Sequence, residues 1–254
     1  IRDRPETVRK LCALGLDVCV ERGAGKQSHL GDDAYEQAGA ELAGSLEHCL
    51  EKADVVLKVR PPSAEELARF PSGATLIGML EPHRIDGAPL RYAKAQVNAF
   101  AMELLPRITR AQSMDVLSSQ SNLAGYRAVI DAAAVFNRAM PMMMTAAGTV
   151  APAKVLVMGA GVAGLQAIAT ARRLGAIVTA TDVRMAAKEQ VESLGASFLM
   201  VEPDGEEDAE TAGGYAREMS EDYQARQAAL VARTIATQDI GILTALIPGR
   251  PAPT

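Results

Sequence analysis

Apolar positions along the chain fall into short strand-length runs alternating with stretches of helical period. Residues 17–21, 54–59, 74–79 and 97–102 read as strands, and residues 5–14, 45–53, 64–70 and 89–95 as the helices between them. Pro5 suits a first helical turn. Gly23-Ala24-Gly25 closes the first strand, and Pro61-Pro62 stops the second. Strands alternating with helices of this length predict parallel βαβ units. Pro106 ends that run, and residues 107–112 form a polar connector. Residues 113–138 read as one long helix: Val116, Leu123 and Ile130 fall seven apart, and Tyr126 and Ala133 fill the same stripe. Pro141 ends it, and Met142, Met143 and Met144 are expected as gap-filling core.

Beyond residue 150 the alternation resumes. Strands are predicted at 155–158, 177–181, 197–201 and 240–243, and helices after 164, at 186–194 and at 220–237. Residues 203–214 carry five carboxylates and too few apolar groups to pack, which predicts a surface loop long enough to act as a lid. Residues 155–171 carry no charge, yet their three glycines, Gln166 and strand-like flanks argue against a membrane span.

The chemistry concentrates in the second half. The run 155–158 leads into Gly159-Ala160-Gly161-Val162-Ala163-Gly164, then a helix, then a strand ending on Asp182. Strand, G-x-G-x-x-G, helix, strand and acid in this order form a dinucleotide-binding fingerprint; the plainer reading is a glycine cluster in a tight turn. Gly159 permits the turn, Gly161 lets the backbone approach a pyrophosphate, and Gly164 lets the helix pack closely. Asp182 is placed to accept from the adenosine ribose and repels a 2′-phosphate, which favours NAD(H); Arg184, two residues on, could instead pair with such a phosphate. Ala160, Val162 and Val183 flank these positions. Ala245 and Leu246 follow the last strand, where open α/β sheets bind ligands.

The expected fold is therefore α/β: two Rossmann-like parallel-sheet domains joined by a long helix. The boundaries are 1–112 (N-terminal α/β domain), 113–141 (connecting helix) and 142–254 (NAD(H)-binding domain). Four strands in the second domain, where a doubly wound domain has about six, predict a chain truncated at both ends.

Composition narrows the classes. Hydrophobic content of 48% with 22% charged residues is ordinary for a globular protein. A net charge of −5 offers no basic face for nucleic acid and no polybasic lipid anchor. Cys12, Cys19 and Cys49, and His29, His48 and His83, lack metal-ligand spacing, so no metal is expected; reduced thiols imply a cytosolic compartment.

Residues 103–131, ELLPRITRAQSMDVLSSQSNLAGYRAVID, resemble the NAD(H)-binding component of proton-translocating NAD(P)+ transhydrogenase. The stretches TAAGTVAPAKVLVMGAGVAGLQAIATARRLGA, KEQVESLGA, ETAGGYAREMS and TALIPGRPAP look like the same family in the same order, with the match weakest over residues 1–100. By that resemblance Arg107, Gln112, Asp115 and Ser118 line the nicotinamide end, Gln112 contacts a partner's NADP(H), and Tyr215 lies on a mobile loop over NAD(H). Spacing alone would leave Arg107 and Gln112 in a solvated linker. The resemblance also implies an NADP(H)-binding partner domain, a membrane proton-channel partner and a homodimer. It further implies a cytoplasmic place on the inner face of a bacterial plasma membrane.

The family is similar to alanine dehydrogenase, the competing reading. Lys58 matches its substrate lysine, but its catalytic histidine position falls at Glu81, with His83 two residues away and Pro82 between them. A substrate arginine would lie before Ile1 or be missing. A third reading is a non-catalytic NAD(H) sensor.

Overall fold

A computed structural model describes residues 4–83, 87–106, 108–201 and 221–245. The chain divides into two compact units, Ile1–Val116 and Leu117–Thr254.

The first unit contains α1 (Pro5–Ala13), β1 (Cys19–Glu21), α2 (Asp32–Gln37), β2 (Glu41–Ala43) and α3 (Leu46–Leu50). It continues with β3 (Val55–Lys58), α4 (Ala64–Leu67), β4 (Thr75–Gly78), α5 (Ala88–Lys94) and β5 (Asn98–Ala101). All of its strand pairs are parallel: β1 with β2, and β3-β4-β5 in sequential order. Neither α2 nor β2 is expected from the pattern. They form because Tyr35 buries its ring with Val8, Ala38 and Ala40 in a small core of its own. The β3-β4-β5 sheet packs through a second cluster that includes Leu50, Leu67, Leu76 and Tyr92.

The second unit holds α6 (Val116–Val135), β6 (Met143–Thr145), β7 (Gly148–Val150), β8 (Lys154–Met158) and α7 (Val162–Arg173). Then come β9 (Ile177–Thr181), α8 (Ala186–Ser193), β10 (Ser197–Phe198), α9 (Glu221–Ile235) and β11 (Ile240–Leu243). Its parallel sheet runs β10-β9-β8-β11. The first three strands step outward in one direction and β11 returns to the far side of β8, so the strand order reverses between β8 and β11. The interior positions of β8 are all buried, and Val155, Val157, Ile168 and Val178 centre the core. The uncharged stretch 155–171 is thus a strand, a turn and part of a helix. Among the described residues no helix is long and apolar enough to cross a membrane.

Three expectations change. The long helix is shorter than predicted: residues 109–114 form a 3-10 turn, and Asp115 leaves the helical region at ψ 85° before α6 begins. Its packing face also differs, since Leu123 and Tyr126 stay 42% and 48% exposed while Val129 is buried. The reason is Gly125: a Cβ there would lie 2.0 Å from the carbonyl oxygen of Ala163. Helix α6 therefore turns its small residues toward α7, and its larger ones face away. Finally, Met142, Met143 and Met144 are exposed rather than core, because they enter the antiparallel β6–β7 hairpin, whose strand residues are all exposed.

Candidate functional site

The site is built where β8 ends. Gly159 adopts φ +95°, a left-handed conformation that glycine takes without strain. Its N–H donates to the Thr181 carbonyl at 2.8 Å, tying the turn to the end of β9. A Cβ on Gly164 would sit 1.8 Å from the Gly159 carbonyl oxygen, so this glycine lets α7 lie against the turn itself. Gly161 is different. A Cβ there would meet nothing within 4 Å, so the backbone at the start of α7 borders open space. The first turn of α7 leaves the N–H groups of Val162, Ala163 and Gly164 without intrahelical acceptors, at the positive end of the helix dipole. An open backbone under unsatisfied donors fits a pyrophosphate.

Asp182 closes one side. Burial opposes its ionisation, but hydrogen bonds from the Arg184 guanidinium and from the N–H groups of Arg184 and Ala160 outweigh burial and hold its carboxyl below the ordinary value. The Ala160 N–H donates to Oδ2 at 2.7 Å, so this amide orients the acid rather than facing the helix end. Arg184 reaches the same carboxylate through Nε and Nη2, each at 2.9 Å. Val183 between them is half-buried.

The opposite wall comes from the end of β11. Thr244 donates its N–H to the Met158 carbonyl at 2.8 Å, and its Oγ1 lies 2.9 Å from the Gly159 carbonyl. The Ala245 backbone nitrogen would lie 3.0 Å from a Cβ on Gly159. Gly159, Ala160, Gly161, Gly164, Asp182, Arg184 and Ala245 are thus brought together at the point where the strand order reverses. Leu246 and Tyr215 lie outside the described residues, as does the acidic segment 203–214. Sequence reasoning does not single out Thr244 as a site residue, and it misses Gln227. From α9, Gln227 donates to Thr181 Oγ1 at 2.7 Å and accepts the Val201 N–H at 3.4 Å. No local pattern marks either residue, because both act across tertiary contacts.

The residues expected at the nicotinamide end are placed as follows. Gln112 is exposed on the 3-10 turn, and Asp115 is half-buried with its N–H on the Gln112 carbonyl at 3.2 Å. Ser118 lies on the first turn of α6, one heptad, about 10 Å, before Gly125 on the same stripe. Arg107 lies outside the described residues.

In the first unit, Lys58 Nζ pairs with Glu66 Oε1 at 2.5 Å, and the other oxygen of Glu66 accepts the Ser63 N–H at 2.7 Å in a capping box. Glu81 has φ +50° and donates its N–H to Glu103 at 2.8 Å. A recess of about 680 Å³ lined by Ser45, His48, Arg69 and Pro71 contains none of the candidate residues.

A parallel sheet that reverses its order beside a glycine turn, a helix amino end and a buried acid defines a dinucleotide-binding class of α/β protein. Two domain families then match nearly the whole chain: alanine dehydrogenase/PNT N-terminal domain at residues 4–124 and C-terminal domain at residues 128–254. The chain belongs to the alanine dehydrogenase/PNT family. It is 57% identical to an NAD(P) transhydrogenase subunit alpha chain of Rhodospirillum rubrum, over 98% of this chain and 66% of that one. A solved transhydrogenase from Sinorhizobium meliloti superposes with a TM-score of 0.84 at 57% identity, again over 98% and 66%. An L-alanine dehydrogenase structure is more distant, with a TM-score of 0.68 and 25% identity over 78% of this chain and 56% of that one. The chain therefore spans just under two thirds of the length of its transhydrogenase relatives.

Proposed function

We propose that this chain is the NAD(H)-binding component of a proton-translocating NAD(P)+ transhydrogenase. The observation that carries the reading is the bare backbone at Gly161, set between the amino end of α7 and the buried carboxylate of Asp182. The first turn of α7 holds the pyrophosphate, and Asp182 reads the adenosine ribose. Ala245 and Leu246 border the nucleotide from the β11 side. Arg107, Asp115 and Ser118 orient the carboxamide and ribose at the nicotinamide end, Gln112 faces a partner domain carrying NADP(H), and Tyr215 covers the bound nucleotide.

Bound here, NADH supplies a hydride that passes directly to NADP+ on the partner. Because no proton moves in that transfer, these residues need only position and exclude water, which contributes on the order of 7–11 kcal/mol of barrier lowering. Proton translocation belongs to membrane partners. The chain itself acts as a homodimer on the inner face of a bacterial plasma membrane.

The test is titration with NADH, followed by hydride exchange with NADP+ when the NADP(H)-binding partner is supplied. Saturable NADH binding with partner-dependent exchange is expected. Rapid NADH oxidation by pyruvate and ammonia without any partner would overturn the reading in favour of an amino-acid dehydrogenase. Binding without exchange, unaffected by substitution of Gln112, would leave a sensor.

A further inference from the structure

Arg184 has so far only oriented Asp182, yet the geometry of that pair carries more. The two oxygens of Asp182 accept four hydrogen bonds. Oδ1 takes the Arg184 N–H and Nε, each at 2.9 Å; Oδ2 takes the Ala160 N–H at 2.7 Å and Arg184 Nη2 at 2.9 Å. A carboxylate offers about four lone-pair positions, so these donors use them all. The guanidinium meets the carboxylate as a two-pronged fork, the same geometry arginine uses on a phosphate. The pair sits at the carboxyl end of β9, where a dinucleotide site meets the adenosine ribose.

We propose that Asp182 masks a 2′-phosphate site formed by Arg184, so that this unit selects NAD(H) because its acid occupies an arginine placed to bind NADP(H). The inference rests on the reading that this unit binds NAD(H). Repulsion between a carboxylate and a 2′-phosphate is one part of the selection. The second part is that a 2′-phosphate cannot reach the guanidinium without displacing an anion already seated there. The Arg184 side chain is only 18% exposed, so its charge is poorly served by solvent and favours an anionic partner. Removing the charge at position 182 therefore leaves a vacancy for an anion, which a 2′-phosphate fills and a 2′-hydroxyl does not.

The experiment titrates the chain with NADH and with NADPH, following nucleotide fluorescence, in wild type, Asp182→Asn and the double variant Asp182→Asn/Arg184→Gln. Asparagine keeps an oxygen for the Ala160 N–H but no charge. Wild type is expected to prefer NADH. Asp182→Asn is expected to gain NADPH affinity and lose NADH affinity, each on the order of tenfold, which reverses the preference. The double variant is expected to lose the gain. Should Asp182→Asn fold poorly, Asp182→Ser, whose hydroxyl can also accept the Ala160 N–H, is expected to give the same ranking. Loss of NADH binding with no gain for NADPH would overturn the masked site, as would a gain that survives Arg184→Gln. A wild-type chain that binds neither nucleotide would sink the functional reading itself, and this inference with it.

Discussion

The two units use one architecture and finish their strands in opposite ways. In the second, β8 runs into Gly159-Ala160-Gly161, and the space a Cβ of Gly161 would occupy is clear to 4 Å. In the first, β3 ends on Lys58, which Glu66 holds at 2.5 Å, and β5 runs on into Glu103, which accepts the Glu81 N–H. Gly78 closes β4 there, but a Cβ on it would lie 2.2 Å from the Lys58 carbonyl oxygen, so this glycine serves strand contact rather than a ligand. Parallel topology supplies a crevice at every carboxyl edge. What differs is whether side chains fill it. A glycine marks a binding site only where nothing else has moved into the space it leaves.

The hardest test of that contrast pairs two glycines five and two positions past Gly159. Gly164→Ala places a methyl 1.8 Å from a backbone carbonyl that cannot swing away, so α7 or the turn must shift. A loss of about 3 kcal/mol or more is expected in urea denaturation, with NADH binding lost as well. Gly161→Ala adds the same methyl to open space. It is expected to cost less than about 1 kcal/mol of stability while weakening NADH by roughly tenfold. Equal destabilisation by both substitutions would erase the distinction between a packing glycine and a ligand glycine.

The acid at the open edge gives the next effect. Asp182 has its carboxyl held below an ordinary value of 3.8, so the stability it contributes is fully present above that value and is lost as pH falls through the lower folded value. Between pH 6 and pH 2 the wild type should therefore lose more stability than Asp182→Asn, by about 1–3 kcal/mol for charge-assisted hydrogen bonds of this kind. Parallel acid titration curves for the two proteins would show that Asp182 is not ionised by its partners. Smaller again is Thr244→Val, which keeps the shape but removes the hydroxyl from the Met158 and Gly159 carbonyls. It should cost about 1 kcal/mol and weaken NADH through a looser turn. No change in either quantity would remove the β11 end from the site.

The same contrast explains what can be read from the chain alone. The β8–α7–β9 unit is legible because its strands are buried on both faces, so they appear as unbroken apolar runs with glycine between them. In the first unit β2 buries only Ala43 and β5 buries none of its strand residues, so period and composition carry little signal. The β6–β7 hairpin is exposed on both strands, and a methionine run there imitates core. Site residues divide the same way. Gly161 and Asp182 announce themselves by spacing. Gly125 and Gln227 act through contacts 38 and 46 residues away along the chain, with Ala163 and Thr181, and no local window contains both partners. Arg184 is legible as a residue able to bind a 2′-phosphate, but the chain alone does not reveal that Asp182 already holds it.

The smallest expected effect probes the filled edge of the first unit. Glu66 lies below its ordinary carboxyl range: burial opposes ionisation, and the hydrogen bonds from Lys58 and the Ser63 N–H overcome it. Its side chain is 33% exposed, so solvent screens much of the pair, and Glu66→Gln should cost no more than about 1 kcal/mol. Glutamine can still accept from the Ser63 N–H, which leaves the capping box in place and isolates the lost charge. If the edge is simply closed, the variant remains unable to oxidise NADH with pyruvate and ammonia, because Lys58 lacks a histidine beside it at position 81. Pyruvate-dependent oxidation in Glu66→Gln would mean that a single carboxylate had been standing in for a substrate. The first unit would then be a masked amino-acid site rather than a filled one, and the two edges would differ in occupancy instead of kind.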